Sequence, residues 1–199
     1  MSSIAYISEN NLQSIFSSET YAIQDCKRFD GATSDKSSNY LKTSNLSITH
    51  DTDHYILATS TDNQFLVIDE DYDNVSFEAE IKLLEPATYG NDPIGIMDRA
   101  DNLYNTALMT VELNRTQFLT ISNGSYGATA SRNVSKQNSK YYRYVVIVNG
   151  NSVTGKVYDG DTLLYNQTIS KSLNKKYYVI GLTNNPCTMH IKNIKIKPL

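Results

Sequence analysis

The chain has 199 residues, a net charge of −3 and an isoelectric point near 5.6. That length suits one domain of the larger all-β kind, able to bury a core without disulfide or metal staples. The mild negative charge speaks against a partner built of phosphates, so no nucleic acid is expected, and no apolar run approaches the roughly 18 residues of a membrane span.

The N-terminal stretch MSSIAYISENNLQSIF lacks a basic region followed by an apolar one, so no secretory signal is legible. Residues 1–20 read as a leader or attachment segment, in which ENNLQSIFSS forms either a short helix capped near Ser8 or an arm. Residues 21–199 read as one β-sandwich domain. Its first part, through FDGATSDKSSNY, is polar and turn-rich, with an isolated strand expected over residues 21–24. Strand signals then follow steadily. HYILATS and QFLVID flank the turn residues Thr61, Asp62 and Asn63. In VSFEAEIKLL, Val75, Phe77, Ala79, Ile81 and Leu83 share one face, and Ser76, Glu78, Glu80 and Lys82 the other. That period of two marks a strand with one face in a core and one in water. PIGIMDR, YNTALMTVEL, TQFLTIS, YYRYVVIVN, SVTGKVYD, TLLYN, YYVIGLT and TMHIKNIKIK continue the series, separated by Gly, Asn, Asp and Ser.

Two details are sharper. Asn149-Gly150 and Asp159-Gly160 predict tight reversals, and hence a three-stranded meander of YYRYVVIV, SVTGKVY and TLLYN. In the last strand Met189 and Ile191 keep one phase and Ile194 and Ile196 the other, so a bulge near Lys192 and Asn193 is needed to bring all four to the core. Many short strands without a helical repeat predict an antiparallel β-sandwich or barrel.

The order of these pieces resembles the concanavalin A-like lectin/glucanase superfamily. An aromatic-alternating strand, NG, a strand ending in YDG, a short strand, YYVIGLT and a closing IKNIKIKPL match its C-terminal half. FEAEIKL, PIGIMDR and YNTALMTVEL match its middle strands. The laminin G-like and carbohydrate-binding branches are the most similar. The resemblance covers residues 55–199 and fits less well upstream. It implies a jelly roll of two antiparallel sheets, one concave, with ligands on the concave face or at loops along one rim.

Enzyme chemistry finds little support. Glu78-x-Glu80 is the only alternating acidic pair on a strand, beside Lys82, and it lacks the acidic triplet of the superfamily's glucanases. There is no Gly-x-Ser-x-Gly elbow. His190 sits among core positions and reads as a satisfied structural histidine. Cys26 and Cys187 match no zinc spacing; they are either two buried thiols or one disulfide between the first and last strands.

Binding chemistry is better represented. The chain has no Trp but 15 Tyr, which offer a ring face and a polar tip to a sugar. Tyr89 in PATYGNDP, Tyr104 at a strand start and Tyr126 in SNGSYGATA are candidate platforms, and Tyr142 and Tyr144 share a strand face with Arg143 opposite. Asp98 and Arg99 in GIMDRADN are the candidate polar pair. In the resembling families this Arg often points onto the concave face, where its fork of donors would hold sugar hydroxyls or a carboxylate. No cofactor motif is legible. Calcium is the one ion left open, at the acidic run of Asp69, Glu70, Asp71, Tyr72 and Asp73.

The expectation is therefore a non-catalytic carbohydrate-binding module whose partner is a glycan or cell-surface polysaccharide. The bias toward Asn, Ser, Thr, Tyr and Lys and the missing signal tilt this toward a phage or viral structural protein, a tail or receptor-binding component released by lysis. Other virion proteins would then be partners, and a homo-oligomer would be compatible. The alternatives are a glycan-cleaving enzyme of the same fold, either glycoside hydrolase or polysaccharide lyase, and a protein-only adhesion or assembly module.

Overall fold

The structure, a computed structural model, describes residues 5–6, 40–42, 46–51, 53–59, 64–68, 73–84, 91–98, 105–111, 115–122, 125–128, 132–134, 136–137, 140–173, 176–182 and 187–199. Every regular element among them is a strand. In chain order these are β1 (Ala5–Tyr6), β2 (Tyr40–Lys42), β3 (Ser47–Asp51), β4 (His54–Thr59), β5 (Gln64–Ile68) and β6 (Val75–Leu83). Then come β7 (Asn91–Asp98), β8 (Asn105–Val111), β9 (Arg115–Ser122), β10 (Ser125–Ala128) and β11 (Arg132–Asn133). The last are β12 (Tyr142–Asn149), β13 (Ser152–Asp159), β14 (Thr162–Ser170), β15 (Lys176–Leu182) and β16 (Cys187–Pro198). The leader expected over residues 1–20, apart from β1, and the strand expected over residues 21–24 lie outside the described residues.

The strands form two antiparallel sheets. The first has the order β14-β13-β12-β6-β16-β4-β3, with β1 also on β16; the second has β10-β9-β8-β7-β15-β5-β2, with β11 also on β9. The strands HYILATS and QFLVID do not pair with each other. β4 pairs with β3 and β16 in the first sheet, and β5 with β15 and β2 in the second, so the chain changes sheet between them.

The alternation read from the sequence sets the layers. Val75, Phe77, Ala79 and Ile81 of β6 and Tyr142, Tyr144, Val146 and Val148 of β12 all lie in the core, at most 5% exposed. Ile94 and Ile96 of β7 and Tyr178 and Ile180 of β15 meet them from the second sheet. The rings of Phe77 and Tyr178 touch across the interface, 5.4 Å apart and tilted by 59°. Each buried Val, Ile or Phe among them contributes about 1.5–3 kcal/mol relative to full exposure.

The meander forms as expected. Asn149 pairs with Ser152 and Asp159 with Thr162, leaving two-residue loops that begin at Gly150 and Gly160. Both glycines have positive φ, +56° and +55°. There is room for a Cβ at either, so the dihedral and not crowding requires glycine.

The bulge of the last strand also forms. The β16–β6 register shifts between Lys192 and Lys195, and Asn193 stands at φ 53°, unlike any other non-glycine among the described residues. Met189, Ile191, Ile194 and Ile196 are all at most 1% exposed. Lys192, Lys195 and Lys197 then fall on the outer face. There Glu78 of β6 accepts from Lys197 at 3.2 Å and from Arg143 of β12 at 3.4 Å, with Lys195 at 3.3 Å. One carboxylate thus clips three strands together. Burial pushes its pKa upward, but the hydrogen bond and charge of Lys197, followed by Lys195, outweigh this and hold it below the ordinary glutamate value.

Two outcomes follow from this geometry. Asn193→Gly should change stability by less than about 0.5 kcal/mol, whereas Asn193→Val, forced into a left-handed backbone, should cost about 1–2 kcal/mol in urea unfolding. Because the folded pKa of Glu78 lies below the unfolded one, its stabilisation is complete above the unfolded value and is lost as pH falls through the folded value. Glu78→Gln should therefore destabilise by about 1–2 kcal/mol at pH 7. The gap between variant and wild type should close as the medium is acidified below the usual carboxylate range.

Candidate functional site

The second sheet gathers several chain ends at one rim. β7 ends at Asp98, β8 begins at Asn105, β9 ends at Ser122, β10 begins at Ser125 and β15 begins at Lys176. Their registers align. Asp98 pairs with Lys176, and Ser122 pairs with both Asn105 and Ser125. One residue inward, Tyr126, Ile121, Thr106, Met97 and Tyr177 form a continuous row across five strands. Asp98 and Tyr126 therefore occupy the same end of the sheet, three strand spacings or about 14 Å apart. Arg99 and Tyr104 belong to the β7–β8 connection and Tyr89 precedes β7; all three lie outside the described residues. Sequence reasoning missed Lys176 and Tyr177. The pairing of β7 with β15 is non-local, so no local signal could set Lys176 opposite Asp98. The residue types at this rim are a carboxylate, an ammonium, small hydroxyls and an amide, with two tyrosines in the next row. The polar types are those that bond sugar hydroxyls; the tyrosines, whose rings can stack on sugars, are one residue out of phase with them and so belong to the alternate face of the sheet.

Other candidates resolve differently. Tyr142 and Tyr144 do share a strand face, but that face is the core: they are 5% and 2% exposed, which removes them as platforms. The Tyr142 hydroxyl accepts from the Gln137 backbone N–H at 2.8 Å, and burial pushes the Tyr144 hydroxyl far up. Arg143, on the outer face, lies over the ring of Tyr158 at 4.1 Å. Glu78 and Glu80 share that outer face, yet both are engaged. Glu78 holds its three cations, and Glu80 accepts from Asn193 at 2.9 Å with Lys192 at 3.9 Å. A glycosidase pair needs one proton-bearing acid and one free carboxylate facing a substrate. Cations occupying the space between strands leave no such pair here.

A further constellation escaped the sequence reading. His54 of β4 and His190 of β16 stack in parallel, centroids 4.3 Å apart, and Tyr141 meets His54 edge-on at 6.4 Å. Lys82 and Lys192 place their ammonium groups over the Tyr141 ring at 4.8 and 4.3 Å. His54 donates Nδ1–H to Asp53 at 2.7 Å. Burial, then Lys82 and His54, hold His190 below the ordinary imidazole value, so it stays neutral near pH 7. Burial, then Asp53, Glu80 and Asp51, push the Tyr141 hydroxyl up to about 12. His54 Nε2, His190 Nδ1 and Tyr141 Oη are shut off from solvent and have no hydrogen-bond partner among the described residues. His190 is thus structural, as its place in the strand suggested, but it is not satisfied. An acid–base group must reach its substrate, and these three atoms do not.

Cys187 opens β16 opposite Thr59, and Cys26 lies outside the described residues. Of the acidic run, only Asp73 is described, and it is exposed. Among the described residues no group of three or more His, Cys, Asp or Glu side chains is arranged to hold a metal ion.

Comparison with known proteins places this architecture. Carbohydrate-binding module CBM66 from Bacillus subtilis superposes with a TM-score of 0.59 at 15% identity, covering 80% of this chain and 95% of that one. The exoplasmic/lumenal domain of VIP36, in a form bound to Ca2+ and Man3GlcNAc, gives 0.53 at 11% identity, covering 77% and 83%. A point mutant of the GH43 protein BlXynB from Bacillus licheniformis gives 0.62 at 8% identity, covering 81% of this chain but 37% of that one. No curated protein sequence matches. These likenesses show the fold, a jelly roll of two antiparallel sheets. Residues 25–197 match the family described as 3-keto-alpha-glucoside-1,2-lyase-like domain, a span that extends upstream of where the sequence pattern was legible. The chain belongs to the 3-keto-alpha-glucoside-1,2-lyase-like domain family.

Proposed function

We propose that the chain is a non-catalytic carbohydrate-binding module. Its glycan site would lie at the rim of the second sheet, with Asp98 and Arg99 bonding hydroxyls and Tyr104, Tyr126 and Tyr89 supplying ring faces. The observation that supports this reading is the register itself. It brings Asp98, Asn105, Ser122, Ser125 and Lys176 into one row at the rim, with Tyr126 and Tyr177 in the next row, on the alternate face of the sheet edge. The likeness to CBM66 over 95% of that chain is consistent with a domain of this size acting as a binding unit. The finer reading is a tail or receptor-binding component of a phage or virus that recognises a cell-surface polysaccharide, with a laminin G-like strand order. It rests on the compositional bias of the sequence. A glycan-cleaving reading is favoured by one observation, the lyase-like description of the family.

A glycan array probed with wild type, Arg99→Ala and Tyr126→Ala separates these. Binding should weaken at least tenfold in each variant, as expected for about 1.4 kcal/mol or more of lost contact, while the melting temperature stays unchanged. Hits that survive both substitutions would place the site elsewhere. Incubating wild type with each bound glycan should release no new reducing end and no unsaturated product absorbing in the ultraviolet. Either product would establish cleavage in place of binding.

A further inference from the structure

We infer that the outer face of the first sheet is a second interaction surface, a basic strip that fits an acidic polysaccharide chain. It lies on the opposite layer from the rim just described, and it recognises charge where that rim recognises hydroxyls.

The strip follows from the bulge and the register. Lys156 of β13, Val145 of β12, Glu78 of β6 and Lys195 of β16 lie in one row across four strands. Arg143 stands two residues along β12 on one side of that row, and Lys197 two residues along β16 on the other. With strands about 4.8 Å apart and a rise of about 3.4 Å per residue, the four cations mark out a patch about 14 Å across in each direction. Among the described residues Glu78 and Glu80 are the carboxylates inside it, and Glu80, in the row of Arg143, is countered by Lys192 at 3.9 Å. Charge and depth are unequal. The Glu78 side chain is 9% exposed, whereas Lys195, Arg143 and Lys197 retain 27%, 36% and 39%. Glu78 lies on the floor with the cations above it, and Glu80, 31% exposed, is offset by Lys192, so the four cations still leave a ligand an excess of positive charge on a chain whose net charge is −3. Val145 and Ile147 give the floor an apolar surface for the lysine stems. Stacking of the guanidinium of Arg143 on Tyr158 orients its planar fork, which suits two-point bonding to a carboxylate or sulfate.

The size of the patch and its borders select the partner. Asp159, paired with Lys140 at 2.6 Å, closes one side, and Asp51 and Asp53 stand at the β3–β4 hairpin beyond Lys192. A DNA duplex or an anionic bilayer is broad enough to press its own charges onto these acidic borders. A single extended sugar chain bearing carboxylates or sulfates fits between them.

The test uses the full chain at low ionic strength against chondroitin sulfate, polygalacturonate, uncharged dextran, a short DNA duplex and phosphatidylserine vesicles. At least one acidic polysaccharide should bind, with affinity falling as salt rises, and neither dextran, duplex nor vesicles should match it. Lys156→Glu should weaken this binding several-fold, and Lys156→Glu with Lys197→Glu at least tenfold. Lys156 holds none of the contacts of Glu78, so the single variant keeps the three-strand clip intact. Neutral-glycan hits on the array should be unchanged in Lys156→Glu, which separates this surface from the rim of the second sheet. Three results would overturn the proposal: no binding of either acidic polysaccharide above dextran, equal or tighter binding of duplex or vesicles, or undiminished binding by the folded double variant.

Discussion

A strand has one core face and one outer face, and twelve residues of β16 must satisfy that rule while their apolar positions change phase halfway. The left-handed residue Asn193 reconciles the two. It inserts one extra residue against β6, so that Met189, Ile191, Ile194 and Ile196 all turn inward. Without it, half of a central strand would carry its isoleucines into water and its lysines into the core. The same insertion delivers Lys195 and Lys197 to Glu78 and Asn193 to Glu80, so one backbone irregularity completes the core and sets the electrostatics of the outer face.

The two sheets contribute differently to the surface. The first is dense in pairs that connect β6, β12 and β16 on its outer side, and its carboxylates are committed to cations. The second brings the β7–β8 and β9–β10 connections and the start of β15 to a common rim. A carboxylate fixed between ammonium groups is poorly suited to proton transfer, because its low pKa keeps it ionised and its lone pairs are occupied. Glu78 is held in this way, while Glu80, its partner in the most enzyme-like spacing in the chain, is engaged by Asn193 and Lys192. The histidine stack beneath Tyr141 likewise turns polar atoms away from solvent, His54 Nε2, His190 Nδ1 and Tyr141 Oη among them.

Much of the fold was legible because its signals are local. Period-two alternation marked the core positions of β6 and β12, glycine at the two reversals marked the meander, and the phase change in TMHIKNIKIK marked the bulge. The partner of each strand was less legible. HYILATS and QFLVID are separated by a few turn residues yet lie in different sheets, because tertiary packing can open a short connection between layers as readily as a hairpin. The tyrosine pair of β12 shows the same limit from another side. An alternating aromatic face is equally consistent with a sugar platform and a core, and only the second sheet lying over Tyr142 and Tyr144 decides between them.

Alternation and dihedral preferences within a few residues were enough to mark an all-β sandwich or barrel, the inward-facing residues of most strands, and the places where the backbone must turn or bulge; the jelly roll came from the resemblance in strand order. Only the tertiary structure decided which residues share a surface: Lys176 opposite Asp98, His190 against His54, and Lys156, Arg143, Lys195 and Lys197 around Glu78. The reason is physical. Side chains on neighbouring strands meet through registers between segments far apart in the chain, and those registers are set by the core packing of the whole domain, which no local pattern encodes.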